Sequence, residues 1–72
     1  MKGEMRITFA DWVSEQEIEV VTGIVVEFGV VVRQDPQLRT LSVSPNPDEL
    51  DLLKEFLGVW ESDGALSWTD AD

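Results

Sequence analysis

Pairs of carboxylates on one helical face are the side chains whose type and spacing come nearest to a catalytic pattern. Glu15 and Glu19 are four residues apart, and Asp48 and Asp51 are three apart, so each pair would lie side by side on a helix. Adjacent carboxylates act as general acid and general base when burial or mutual repulsion separates their pKa values. Both pairs fall on the outward faces of helices predicted below, and we therefore interpret them as solvated surface.

The chain contains no cysteine and no histidine. Their absence excludes thiolate nucleophiles, Cys/His zinc sites and histidine-based proton transfer, and it leaves the serines without a base of the usual kind. The five glycines match neither G-x-x-x-x-G-K nor G-x-G-x-x-G, the loops that hold phosphates. We therefore predict no catalytic, cofactor-binding or metal-binding residue and no enzymatic activity.

Composition indicates one small, acidic domain over residues 1–72. Hydrophobic residues make up 43% of the chain, enough for a single modest core. Fifteen acidic residues against five basic ones give a net charge of −10, which would repel phosphates, so we expect no direct contact with nucleic acid. With neither a membrane-length apolar run nor a signal-peptide pattern, we expect no membrane partner and a cytoplasmic location.

The first half of the chain predicts a strand followed by a helix. Residues 5–9 alternate between apolar and polar, which is typical of a half-buried strand. Ser14 and Glu17 have the spacing of a capping box, in which the serine accepts a backbone N–H and the glutamate reaches back to the serine N–H. The helix over 15–28 should begin there, and Gly29 stands where a C-cap favours a left-handed residue.

β-branched residues make the segment 15–28 ambiguous. Valine and isoleucine favour strands, and a hairpin turning at residues 22–23 is the alternative. On a helical wheel with 100° per residue, however, the apolar side chains of the segment fall within one arc of about 160°. This arc favours a helix. These side chains are Ile18, Val20, Val21, Ile24, Val25 and Phe28.

The second half predicts a hairpin, a helix and a last strand. Residues 30–34 and 39–44 read as two strands joined by a turn at 35–37. A helix is predicted over 47–60, where apolar residues fill one half of the helical wheel, and a strand over 65–69.

The second predicted helix has a capping residue, and each predicted helix contains a glycine. Asn46 is the predicted N-cap of the second helix, with Glu49 completing the box. Gly23 and Gly58 fall on outward helical faces, where each costs about 1 kcal/mol relative to alanine. Close approach by a partner would explain these glycines, and so would simple tolerance, which we favour.

Trp12, just after the first strand, is expected to pack on the core.

The order strand, helix, strand, strand, helix, strand resembles the split βαβ plan. The predicted fold is therefore α+β, a ferredoxin-like βαββαβ plait with a four-stranded antiparallel sheet and two helices on one face. This resemblance concerns a superfold that serves many functions, so the function has to be argued from a site.

The sheet face that the helices leave uncovered is the predicted interface. Strand alternation places hydroxyls and two arginines there, and no aromatic residue on which a base could stack. We expect this face to contact a second copy or a protein partner. The candidate interface residues are Arg6, Thr8, Val31, Arg33, Thr40, Ser42, Ser67 and Thr69.

Three functions remain open. The first is a non-enzymatic protein-interaction module that forms a homodimer or binds a protein partner. The second is an acidic decoy of the phage anti-defence type, which mimics nucleic acid and inhibits a basic DNA- or RNA-handling protein; the third is a regulatory domain that senses a small ligand. A salt-rich cytoplasm or solubility alone would also account for the charge. The carboxylates of the candidate acidic face are Glu15, Glu19, Glu27, Asp48, Asp51 and Glu55.

Overall fold

The computed structural model describes residues 4–70; residues 1–3 and 71–72 of the predicted domain lie outside them. Its elements are β1 (Met5–Phe9), α1 (Glu15–Val25), β2 (Gly29–Asp35), β3 (Thr40–Pro45), a 3₁₀ turn (Pro47–Glu49), α2 (Leu50–Ser62) and β4 (Leu66–Asp70). The four strands form one antiparallel sheet in the order β2–β3–β1–β4. This arrangement confirms the predicted ferredoxin-like plait. None of the helices within residues 4–70 has the length and apolar character needed to cross a membrane.

The core lies between the sheet and the two helices. Every second residue of β1 and β3 points into it, as the alternation predicts, and each helix contributes residues one turn apart. Trp68 is half-buried opposite Ile7, and the Lys54 ammonium lies 5.1 Å from the centre of its ring. The buried side chains are Met5, Ile7, Phe9, Val13, Val21, Val25, Leu41, Val43, Leu53, Leu57, Ala65 and Leu66.

Helix α1 ends three residues earlier than predicted. After Val25 the chain tightens, and the N–H groups of Glu27 and Phe28 donate to carbonyls three residues back. The chain has to leave the helix here because Gly29 already pairs with Pro45 in the sheet. The predicted left-handed C-cap at Gly29 is therefore wrong, since the left-handed residues among those described are Arg39 and Gly64.

The first predicted capping box forms in part, and the second does not form. The Ser14 hydroxyl accepts the N–H of Glu17 at 3.2 Å, but the Glu17 carboxylate accepts the indole N–H of Trp60 at 3.3 Å, which links α1 to α2. Asn46 makes no side-chain cap; its amide instead donates to the Glu49 carboxylate at 3.0 Å. The segment that follows Asn46 takes the tighter 3₁₀ turn, so α2 begins at Leu50 and extends to Ser62.

A β-bulge in β2 reverses the predicted orientation of Val31. Val31 is opposite Val43, and Arg33 is opposite Ser42, so Val32 is the extra residue between two ladder positions. Val31 consequently packs against the core, and its assignment to the open face is wrong. Val30, which pairs with Ser44, is exposed on the open side instead.

Candidate interaction surfaces

The open sheet face brings seven of the eight predicted interface residues together; Val31 is the one that it excludes. Two rows run across all four strands, one containing both arginines and the other mainly threonines. The first row is Arg33, Ser42, Arg6 and Thr69, and the second is Asp35, Thr40, Thr8 and Ser67. The face is therefore polar, with a positive centre.

The open face is shallow. A recess on it has a volume of about 200 Å³ and lies between the arginines and the hairpin residue Leu38. Leu38 and Val30 are its exposed apolar side chains, at opposite ends of the β2–β3 hairpin. A surface of this kind offers hydrogen bonds but little apolar area that a partner could bury.

The outer side of the helix layer carries a line of exposed apolar residues. Leu52, Phe56 and Val59 follow one another at helical spacing on α2, and Val59 is 61% exposed. Val20 of α1 lies one turn after Glu17, which contacts Trp60, so it projects on the side that faces α2. We call these four residues, Val20, Leu52, Phe56 and Val59, the helix-layer patch.

Aromatic contacts support the helix-layer patch from beneath. The ring of Phe56 meets Phe28 edge-on at 5.8 Å and stacks with Trp60 at 6.2 Å, and Trp60 is held in turn by Glu17. Such contacts add roughly 0.5–1.5 kcal/mol each beyond area burial. The Phe56 ring is therefore the member of the patch that packing holds in place.

Carboxylates border the α2 part of the helix-layer patch. All six residues of the predicted acidic face are exposed, and Asp51 and Glu55 directly precede Leu52 and Phe56 on α2. No group of His, Cys, Asp or Glu within residues 4–70 has the arrangement of a metal site. The arrangement is an apolar strip with a negative border.

A cavity of about 570 Å³ lies between α1 and the β2–β3 hairpin. Phe9, Ile18 and Leu41 contribute apolar side chains to its lining, which also includes Arg39. Trp12, expected on the core, is instead 66% exposed, in the loop that precedes α1. The indole is free of the core because Val13 is the loop residue that becomes buried.

Arg39 ties the hairpin to the loop that precedes α1. Its Nε and Nη2 atoms donate to the carbonyl of Ala10 at 3.1 and 2.9 Å, and Nη2 also donates to the carbonyl of Val13. Its own backbone is left-handed, at φ 56°. The sequence gave no signal for this role, because the contact spans 29 residues.

Replacing Arg39 with methionine should lower the free energy of unfolding by about 1–2 kcal/mol, because two partly buried carbonyls lose a charged donor. Arg39→Lys should recover only part of the loss, since an ammonium lacks the fork of the guanidinium. Urea denaturation followed by circular dichroism measures both. Equal stability of the wild type and Arg39→Met would contradict the proposed tie; Arg33→Met, on the open face, is the matched control.

Comparison of the chain with protein-family models, with curated proteins and with solved structures gives no match in any of the three.

Proposed function

We propose that this protein is a non-enzymatic interaction module that binds a basic, amphipathic segment of a partner protein on the helix-layer patch. The observation that carries the proposal is an exposed apolar strip, built on stacked aromatics and bordered by carboxylates. A helical segment with one apolar face could lay that face along Leu52, Phe56 and Val59. Its flanking lysines or arginines would then meet Asp51 and Glu55.

Charge favours a different protein over a second copy on this patch. Each chain carries a net charge of −10, so two helix layers placed face to face would bring like charges together. A basic segment meets the opposite situation, because the same carboxylates attract it and accelerate the encounter. Self-association through the open sheet face, with its arginines, stays a separate hypothesis.

Apolar content also favours this proposal over nucleic-acid mimicry. A decoy that works by charge alone needs carboxylates in place of phosphates and gains nothing from exposed leucine and valine. The helix-layer patch interrupts the acidic surface with such side chains. The affinity of the module for its partner should consequently be lost only in part at high salt. The affinity of a pure nucleic-acid mimic should be lost almost entirely.

Leu52→Ser combined with Val59→Ser should weaken binding of a basic peptide by more than about tenfold, because both side chains offer apolar area at the centre of the contact. The probe is a synthetic amphipathic helix of leucine and lysine, and isothermal titration calorimetry at low and high salt gives its affinity. The double variant should keep the wild-type circular dichroism spectrum, since both residues are more than half exposed.

The matched control is Val30→Ser combined with Leu38→Ser, which removes exposed apolar residues from the open sheet face instead. That control should bind the peptide as the wild type does. Loss of binding in the control, or equal binding of an acidic peptide of the same pattern, would refute the proposal. Light scattering of wild type and Arg33→Glu tests the separate dimer hypothesis.

A further inference from the structure

The cavity between α1 and the β2–β3 hairpin has the size of a small-molecule site. Its volume of about 570 Å³ falls within the usual range of roughly 300–1,000 Å³ for ligand pockets. It is separate from the main part of the helix-layer patch, because α2, which carries Leu52, Phe56 and Val59, contributes no residue to its lining. Occupancy of one surface therefore leaves the other accessible.

The walls of the cavity are mainly apolar. Leu41 and Phe9 are buried core residues whose outer sides reach it, and Ile18 adds a half-buried side chain from α1. Thr22 contributes little polarity, because its hydroxyl donates to the Ile18 carbonyl at 2.8 Å. An apolar body placed here would be removed from water on several sides.

The rim of the cavity is negative. Glu15 and Glu19 contribute carboxylates from α1, while Arg39 is the cation among the lining residues. Asp35 also borders the cavity, but it pairs with Thr40 on the open sheet face, and its carboxylate accepts the N–H of Leu38 at 3.3 Å. The Arg39 guanidinium is already directed at the carbonyls of the loop before α1. The two carboxylates of α1 against one engaged guanidinium favour a ligand that carries positive charge.

Gly23 leaves part of the cavity wall without a side chain. It lies in the body of α1, where glycine costs about 1 kcal/mol relative to alanine. A Cβ built on it meets no atom within 4 Å, so nothing inside the protein requires glycine there. The residue lines the cavity, and its missing side chain leaves room for an occupant against the helix backbone.

From the apolar walls, the negative rim and the open Gly23, we infer that this cavity binds a small amphiphile with an apolar body and a cationic amine head. The apolar body lies between Ile18 and Leu41. The amine lies at the rim, within reach of the carboxylates of Glu15 and Glu19. This site goes beyond the proposed peptide binding and does not depend on it.

The test compares octylammonium with octanoate and octanol, which share a chain and differ in charge. Titration followed by ¹⁵N–¹H correlation spectra should show octylammonium binding at least about tenfold more tightly than octanoate, with octanol between them. The shifted amides should fall in residues 15–23 and 34–41. Equal affinities for the amine and the carboxylate, or shifts confined to the helix-layer patch, would overturn the inference.

Gly23→Leu should fill the cavity mouth and abolish octylammonium binding while leaving the basic peptide bound. Gly58→Leu is the matched control, because Gly58 also meets no atom within 4 Å, and it lies outside the cavity on α2. Both variants should fold with unchanged or higher melting temperatures, since leucine is the better helix former. Octylammonium binding that survives Gly23→Leu would overturn the inference.

A second pair of variants tests the charge without adding bulk. Glu19→Gln at the rim should weaken octylammonium binding severalfold and leave octanol unaffected. Glu27→Gln, just beyond α1 and outside the cavity, is the control and should change neither. Equal weakening by the two substitutions would mean that the amine senses only the overall charge of the protein, and would refute the site.

Discussion

Leu53→Ala is expected to lower the free energy of unfolding by about 2–5 kcal/mol, the largest effect of any single substitution considered. Leu53 is 0% exposed and packs from α2 into the core, so alanine would leave a cavity that the sheet cannot fill. A domain of 72 residues has a total stability of about 4–11 kcal/mol, by the usual stability per residue. The variant should therefore be partly unfolded near 37 °C, which thermal and urea denaturation would show.

The neighbouring residue provides the control for this prediction. Leu52 has the same side chain on the same helix but is 55% exposed. Leu52→Ala should cost at most about 0.5 kcal/mol, as surface substitutions do. A similar loss of stability in both variants would mean that α2 is rotated about its axis relative to the structure described here, and that the helix-layer patch is not on the surface.

Periodicity was enough to predict the elements and the fold. The alternation in β1 and β3 and the apolar arcs of the two helices repeat at the periods that packing on a sheet requires. In the segment of α1, the arc outweighed the strand preference of its β-branched residues, because burying one apolar face contributes more than local propensity does. The helical wheel could not predict where α1 ends. The chain leaves the helix because Gly29 pairs with Pro45, and this is a tertiary contact that a local pattern does not contain.

The bulge in β2 shows why the open face was predicted less well. Three valines in a row, Val30 to Val32, satisfy either register of a two-residue period. The choice is made by pairing with β3, where Val31 meets Val43, and one extra residue then restores Arg33 to the open side. No local pattern encodes that insertion.

Neither surface used in the proposals could be identified from the sequence. Leu52 and Val59 lie on the apolar half of the predicted helical wheel, a position that predicts burial. A helix that packs on a sheet, however, buries a stripe narrower than that half. Residues at the border of the stripe stay exposed. The cavity was invisible for a different reason, because it is a gap between α1 and a hairpin distant in sequence.

Gly29→Ala is expected to lower the free energy of unfolding by about 3 kcal/mol, the upper end of the usual cost of overpacking. A Cβ on Gly29 would lie 2.5 Å from both the Pro45 Cα and the Ser44 carbonyl oxygen. The two strands cannot easily separate, because the N–H of Asn46 donates to the Phe28 carbonyl at 2.7 Å immediately beside the contact. Urea denaturation of the variant measures the loss.

The backbone nature of this contact makes the prediction specific. Pro45→Ala should not rescue Gly29→Ala, since the colliding atoms belong to the main chain and remain after the side chain is truncated. Gly58→Ala is the opposite control, where open space and better helix propensity should raise stability by about 0.5–1 kcal/mol. Because Gly29 does not have a positive φ, backbone strain adds nothing to the cost at this position. Rescue by Pro45→Ala, or equal behaviour of the two glycine variants, would therefore show that the ends of β2 and β3 are farther apart than the structure places them.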